Sequence, residues 1–465
     1  MLGMFSGGKQ KSTKDYFLGA DSMPWWVVCF SIVAAETSTL TFISIPGLAY
    51  LTNLNFLQVT LGYLIGRIII AKFFLPAYYK GELTTAYSYL ERRFGSKTRS
   101  FASIVFLFTR TAADGVRLFA TAIPLKLMLD ISYPTAILII VAITLLYTIT
   151  GGVKGVIWVD AIQMFIYLGG AALALYFLIN IYLPDGFSAV VAAAAVNDKL
   201  SIINLGFSDG ISTFFKTPYT LIGGLLGGAF LSMASHGTDQ LIVQRLLVTK
   251  DLKKSQKAII GSGIIIIVQF ALFLFVGVAL YAYYHTSDLS ILGLVKADEI
   301  FPKFILEKLP VGVSGIIIAG LFAAAMSTLA GSISSLSSST MLDLYPTFSK
   351  KIKKINELTL SRIFTVMWAA MLVLAALFFM NSPQTVVELA LSIASFTYGG
   401  LLGTFILGLL VKKATQEDAL AGFTAGIFVM ITVISLKLVA WTWFTIIGVL
   451  TTLIIGSLLS RPNKR

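Results

Sequence analysis

Polar residues interrupt this chain at intervals close to one membrane thickness. Between the interruptions lie apolar runs at about 24–50, 55–79, 100–129, 134–151, 157–183, 218–238, 258–284, 310–342, 361–380, 384–411, 417–436 and 439–460. Each approaches or exceeds the roughly 20 residues that a helix needs to cross a hydrocarbon core. The longest must tilt or break. Pro46-Gly47, Gly223-Gly224, Gly227-Gly228 and Gly399-Gly400 mark kinks or close helix contacts inside the runs. The longest connections are 184–217 and 285–309, and no stretch has the make-up of a soluble domain. The pattern predicts an all-α polytopic membrane protein with about 12 transmembrane helices.

Composition supports this class. Of the 465 residues 57% are hydrophobic, and the mean hydropathy is +0.87. A soluble core could not absorb so much apolar surface. The net charge of +13 is not a nucleic-acid signal, because the cations sit in short loops of alternating sidedness. If residues 1–23 are cytoplasmic, the outer segments hold only Lys126, Lys199, Lys216, Lys296, Lys303, Lys308 and Lys437. Most of the other cations, Arg245 among them, fall inside, as the positive-inside rule requires. This orientation predicts cytoplasmic N- and C-termini in a plasma (inner) membrane. No cleavable signal peptide is visible. Cys29 is the single cysteine, which excludes a disulfide framework and a cysteine metal cluster.

The count of runs has a topological consequence. Five runs in 24–183 form an odd block, so the next five, in 218–411, cross the bilayer in the opposite sense. The connection 184–217 is then extracellular, and two additional helices occupy 412–465. Inverted five-helix repeats are a transporter plan in which broken helices meet near the midplane.

Two runs carry oxygen where lipid helices carry Leu. The first is Ala34-Ala35-Glu36-Thr37-Ser38-Thr39-Leu40-Thr41. Thr37 offers a hydroxyl; Ala34 offers only a carbonyl, free if the helix unwinds. Such hard oxygen donors suit Na⁺-like ions. The competing reading is that Ser and Thr bond back to their own helix. For Glu36 a functional role is the default. In the eighth run Ala324, Ser327 and Thr328 stand at i, i+3, i+4 and share a face. That face reads equally as an ion site or a small-residue packing seam.

Other polar groups fall within runs. Asp160, near the inner end of the fifth run, is a functional candidate or a satisfied interface carboxylate. Arg110, Asp114 and Arg117 share a face of the third run. Arg110 and Asp114 read as a structural ion pair, which leaves Arg117 for a substrate carboxylate. Arg67 and Lys72 read as snorkelling side chains. Ser235 and His236 end the sixth run with unusual polarity, and His236 is its best candidate for facing a solute. No nucleotide-binding or hydrolase motif is present, so the chain is read as not an enzyme, and uphill transport would need an ion gradient.

Five segments in order resemble the sodium/solute symporter family, which includes sodium–glucose, sodium–proline and sodium–sialic acid transporters. They are Asp15-Tyr16-Phe17-Leu18-Gly19 with Pro24-Trp25-Trp26; Thr84 to Gly95 around Tyr87-Ser88-Tyr89-Leu90-Glu91; Thr148-Ile149-Thr150-Gly151-Gly152 with Asp160 and Gln163; Gly237-Thr238-Asp239-Gln240 with Val243-Gln244-Arg245; and Met326-Ser327-Thr328-Leu329 with Asp343-Leu344-Tyr345. The resemblance implies a LeuT-type 5+5 inverted-repeat core plus two C-terminal helices. It implies a Na⁺ site at Ala34, Thr37, Ala324, Ser327 and Thr328, with Asp160 in support. Family members with a second sodium carry extra serines where Ala330 and Gly331 stand here, which implies one Na⁺ per cycle. The resemblance also leads us to expect that a helix ahead of the Asp15 motif is missing from this chain. Most sugar ligands of the hexose branch are replaced, with Leu40, Thr41, Ser235, His236, Ile266 and Leu391 at those places.

The expectation is therefore Na⁺-coupled uptake of a small polar organic solute, sugar-like, amino-acid-like or related, by a monomeric functional unit in the lipid bilayer, with no nucleic-acid partner. A proton-coupled carrier using Glu36 or Asp160, and a facilitator or solute sensor on the same fold, are the alternatives. One Na⁺ crossing 100 mV with a tenfold gradient supplies about 3.7 kcal/mol, enough for roughly 500-fold accumulation. The solute is expected between Glu36, Leu40 and Thr41, the Ser235–His236 end, and the Ser392/Ser395 face of the tenth run, with Arg117 a further contact.

Overall fold

A computed structural model describes residues 12–19, 22–37, 39–80, 83–207, 210–294, 296–348, 356–380 and 386–460. Among these the regular structure is helical, with no strand. Backbone groups in lipid must be satisfied within the segment, which favours helices over every open alternative.

The helices that position the site run in chain order. Helix α1 is Trp25–Glu36 and α2 is Thr39–Leu51. Helix α3 is Leu57–Ile69, which continues through a π turn to Tyr79. The amphipathic α4 is Ala86–Phe94 and α5 is Ser96–Leu129. Helix α6 is Tyr133–Phe177, α7 is Leu221–Gly237, α8 is Gln240–Leu247 and α9 is Leu252–Tyr284. Helices α10 (Val311–Ser339), α11 (Glu357–Phe379), α12 (Val386–Leu410), α13 (Gln416–Ser435) and α14 (Phe444–Leu459) complete the bundle.

A helix, or a pair of broken helices, stands at each of the twelve apolar runs. Seven helices among the described residues are long and apolar enough to cross a membrane, and α1 with α2 makes an eighth. The others are broken, short or charged. Helix α6 holds two runs, separated at Gly152, whose φ of 55° and ψ of −160° no helix contains.

Two breaks matter most. Helix α1 ends at Glu36; Thr37 leaves the helix with φ −79° and ψ 113°, and the chain resumes at a 64° bend. The sixth run breaks likewise. Helix α7 ends at Gly237, Thr238 is non-helical, and Asp239 caps α8 by accepting from the Leu241 N–H. These breaks leave main-chain groups without intrahelical partners at the centre of the bundle.

Helix α7 lies against α3 at backbone distance. A Cβ at Gly62 would meet the carbonyls of Gly224 and Leu225, and one at Gly228 would meet that of Val59. Small residues permit such approach, and it sets the ends of α1, α3 and α7 side by side. Helix α10 packs along α6. Its C-terminal half is a buried serine stripe whose hydroxyls bond to neighbouring helices. Ser337 donates to the Ser361 carbonyl, Ser339 pairs with Ser103, and Ser338 accepts from Gln240.

Candidate functional site

The break at Thr37 faces α10. Thr37 donates its hydroxyl to the Val33 carbonyl at 2.8 Å, so the back-bonding reading holds for that hydroxyl. Its carbonyl lies 3.4 Å from Thr328 Oγ1. Ser327, one residue earlier, donates to Asp160 Oδ1 at 2.8 Å. Asp160 is fully buried, and its other oxygen accepts from Ser31 at 2.6 Å and from Arg245 at 2.9 Å. Arg245 Nε also donates to Ser31 at 2.9 Å. By taking the Ser327 proton, Asp160 turns that hydroxyl's lone pairs outward. Thr37, Ser327, Thr328 and Asp160 thus converge across three helices. Ala34 is buried beside them. The side chain of Ala324 lies outside the described residues.

Arg245 corrects one expectation. Grouped by sequence with the inner-loop cations, it is buried against Asp160. Gly331 makes its place, since a Cβ there would occupy the space of the guanidinium.

A second network joins the two broken helices. Arg67, fully buried, pairs with Glu36 at the end of α1. It also donates to Ser262 on α9 at 2.8 Å and lies 3.0 Å from His236 Nε2 on α7. His236 Nδ1 is 2.8 Å from Ser235 Oγ, which donates onward to the Leu231 carbonyl. This pattern assigns the ring proton to Nδ1, with Nε2 accepting from Arg67. The snorkelling expectation for Arg67 is therefore wrong: an internal carboxylate holds the guanidinium inside the bundle. Lys72 is exposed. Glu36 Oε2 and His236 Nε2 both engage Arg67. Thr41 is half-buried on α2. The side chains of Leu40, Leu391, Ser392 and Ser395 lie outside the described residues.

A third cluster lines a narrow crevice between α5, α8 and α12, with Thr109, Arg110, Arg117, Asp239 and Tyr398 in its wall. Arg110 Nε lies 2.6 Å from Asp114, and its Nη1 is 3.4 Å from Asp239. Arg117 also reaches Asp114, at 2.9 Å, so it is not left in excess as its spacing suggested. Asp114 accepts from Ser332 of α10, and Tyr398 donates to Asp239 at 3.2 Å.

Sequence reasoning missed Arg67, Arg245 and Ser31 as partners, and also Gln269 of α9, whose Nε2 donates to Thr37 Oγ1 at 2.7 Å. An arginine inside an apolar run was the available signal for Arg67.

Broken helices meeting beside converging oxygens, in a bundle of apolar spans, define an ion-coupled membrane carrier. Residues 16–426 match the model of the sodium:solute symporter family, and the chain belongs to that family. It is 30% identical over 458 residues to the sodium/sialic acid symporter NanT of Aliivibrio fischeri, covering 98% of this chain and 89% of that one. It is 27% identical to the sodium/sialic acid symporter SiaT of Proteus mirabilis, covering 98% and 91%. The sodium/glucose cotransporter of Vibrio parahaemolyticus is 27% identical, covering 90% and 79%. Among solved structures, a substrate-bound, outward-open Na⁺-coupled sialic acid symporter matches with a TM-score of 0.86 at 26% identity, covering 99% of this chain and 94% of that one. The transporter Mhp1 in a closed conformation matches with a TM-score of 0.55 at 12% identity, covering 97% and 95%, which speaks to the fold alone. The fold is LeuT-like, and the protein is a multi-pass, Na⁺-coupled solute symporter.

Proposed function

We propose that this protein carries a small hydroxylated acid of the sialic acid kind into the cell with one Na⁺ per cycle. The observation that carries the ion site is the meeting of the Thr37 carbonyl with the Thr328 and Ser327 hydroxyls beside Asp160. The carbonyls of Ala34 and Ala324 complete the proposed donor set. A single Na⁺ is supported by Arg245. Its guanidinium already supplies a positive charge to Asp160, in space that Gly331 leaves open.

The solute class rests on the relatives named above and on charge. Glu36 is neutralised by Arg67, which removes the acid an amine would need. Arg110 and Arg117 stand in the crevice wall. The proposed solute site lies beside the break, with Thr41, Ser235 and Arg117 as contacts and the Ser392/Ser395 face of α12 opposite. Glu36 and His236 shape it from behind. The two five-helix repeats, 24–183 and 218–411, move about this site, with both termini cytoplasmic in the plasma membrane.

The test is a thermal-stability screen of the purified chain with sialic acid, other hydroxylated acids, sugars and amino acids, each in Na⁺ and in K⁺. The proposal expects stabilisation by a hydroxylated acid that is larger in Na⁺. Stabilisation by a sugar or an amino acid alone would overturn the solute class. An equal response in K⁺ would overturn the coupling ion for this site.

A further inference from the structure

We propose that Gln269 is a positioning residue of the sodium site, acting through Thr37; this rests on the ion site proposed above. Gln269 lies on α9 and is almost wholly buried. Its Nε2 donates to Thr37 Oγ1 at 2.7 Å. The orientation of the amide follows from the network. The Thr37 proton goes to the Val33 carbonyl, so its oxygen can only accept, and the group facing it must be the NH₂. Thr37 sits where the helix stops. Its hydroxyl is therefore held from two sides, by Val33 within α1 and by Gln269 across the bundle, while its carbonyl points to Thr328. Without Gln269 the Thr37 side chain keeps only its bond to Val33, and the 3.4 Å contact with Thr328 is left as the one tie across the bundle that sets the direction of its carbonyl.

The other end of the amide supports an active role. Gln269 Oε1 is buried and has no hydrogen-bond partner among the described residues. A side chain retained for packing alone would not keep an unpaired buried acceptor, because such groups are costly. Beside an ion site, that oxygen has a purpose: a cation, or a donor entering with it, finds an acceptor there. The nearest neighbours on this face of α9, Ile266, Phe270 and Phe273, are apolar and buried, and the next polar group on it, Ser262, lies two turns away and accepts from Arg67.

The experiment uses the purified full-length chain and Na⁺ alone, read as Na⁺-dependent thermal stabilisation against a K⁺ reference. Gln269→Leu and Thr37→Val should each raise the half-saturating Na⁺ about tenfold, and the double variant should lose little more than either single one, because both remove the same bond. Stability in K⁺ should change far less than Na⁺ affinity, which a merely structural role would not produce. Gln269→Met, of similar length, replaces Gln269→Leu if the latter folds poorly. Thr328→Ala is the control for the site. If it weakens Na⁺ binding while both Gln269 variants bind normally, the positioning role fails and the site stands. Additive losses, near a hundredfold in the double variant, would also overturn the role. If Thr328→Ala has no effect either, the site itself is misplaced.

Discussion

The carboxylate of Asp160 and the guanidinium of Arg245 lie 2.9 Å apart, buried, on helices α6 and α8. Ser31 of α1 bridges them, bonding to both. This pair connects the proposed ion site to the segment that follows the second helix break. Removing one partner of a buried ion pair leaves an uncompensated charge, at a cost of about 3–5 kcal/mol. Arg245→Met should therefore lower the unfolding temperature strongly. Adding Asp160→Asn to that variant should restore much of the loss. A double variant as unstable as the single one would show that charge pairing is not what Arg245 contributes.

The second network makes a separate prediction. Arg67 ties Glu36 on α1 to His236 on α7 and Ser262 on α9. Glu36→Gln keeps the shape but weakens a charge-assisted bond, a difference of about 1.5–3 kcal/mol. Transport should fall, while half-saturating Na⁺ should shift only a few-fold, because Glu36 is not among the proposed ion ligands. A large loss of Na⁺ affinity with solute binding intact would make Glu36 a ligand instead.

In the π turn that follows the C-terminal end of α10, Asp343 accepts from Arg99 and Ser339, each at 2.9 Å, and Arg99 also pairs with Glu91 of α4. This cluster holds α4, α5 and α10 together. Asp343→Asn should loosen it. The single native cysteine, Cys29, is buried, so a Cys29→Ser background permits site-directed labelling. A cysteine placed at Ser338 should then react several-fold faster with a maleimide when Asp343 is Asn. An unchanged rate would mean that the cluster does not hold these helices closed over Ser338.

Much of this arrangement was legible in the sequence. Runs of apolar residues located the long apolar helices, because length and hydropathy are local properties; the short α4 and α8, which lie between runs, were not marked this way. The polar islands around Glu36–Thr37 and Ser327–Thr328 marked two segments that the fold brings together at the proposed site, because oxygen in a lipid helix is unusual. Pairing across the bundle was not legible. Arg67 looked like a snorkelling side chain because its partner Glu36 lies on another helix. Arg117 looked unpaired because spacing along α5 could not show that Asp114 takes both arginines. Arg245 was counted with the loop cations because its burial depends on Gly331 of α10, far away in sequence. Periodicity reports which face a residue occupies, and says nothing about what meets that face.

The ion ligands carry the strongest mutational prediction. Ser327→Ala and Thr328→Ala each remove a hydroxyl from the proposed donor set. A hydrogen-bond-like contact to a charge is worth about 1.5–3 kcal/mol, so each should raise half-saturating Na⁺ by roughly tenfold or more in transport or binding assays. Normal sodium dependence in the double variant would move the site away from the junction of α1 and α10.

The most direct test is uptake into proteoliposomes as a function of external Na⁺, with charge movement recorded in parallel. With Arg245 holding Asp160, the expected result is uptake that requires a Na⁺ gradient, is insensitive to an uncoupler at fixed Na⁺ gradient and clamped voltage, and follows a Hill coefficient near one. A coefficient approaching two, or uptake that persists without Na⁺ and follows a proton gradient, would contradict a single sodium bound at Thr37, Ser327 and Thr328.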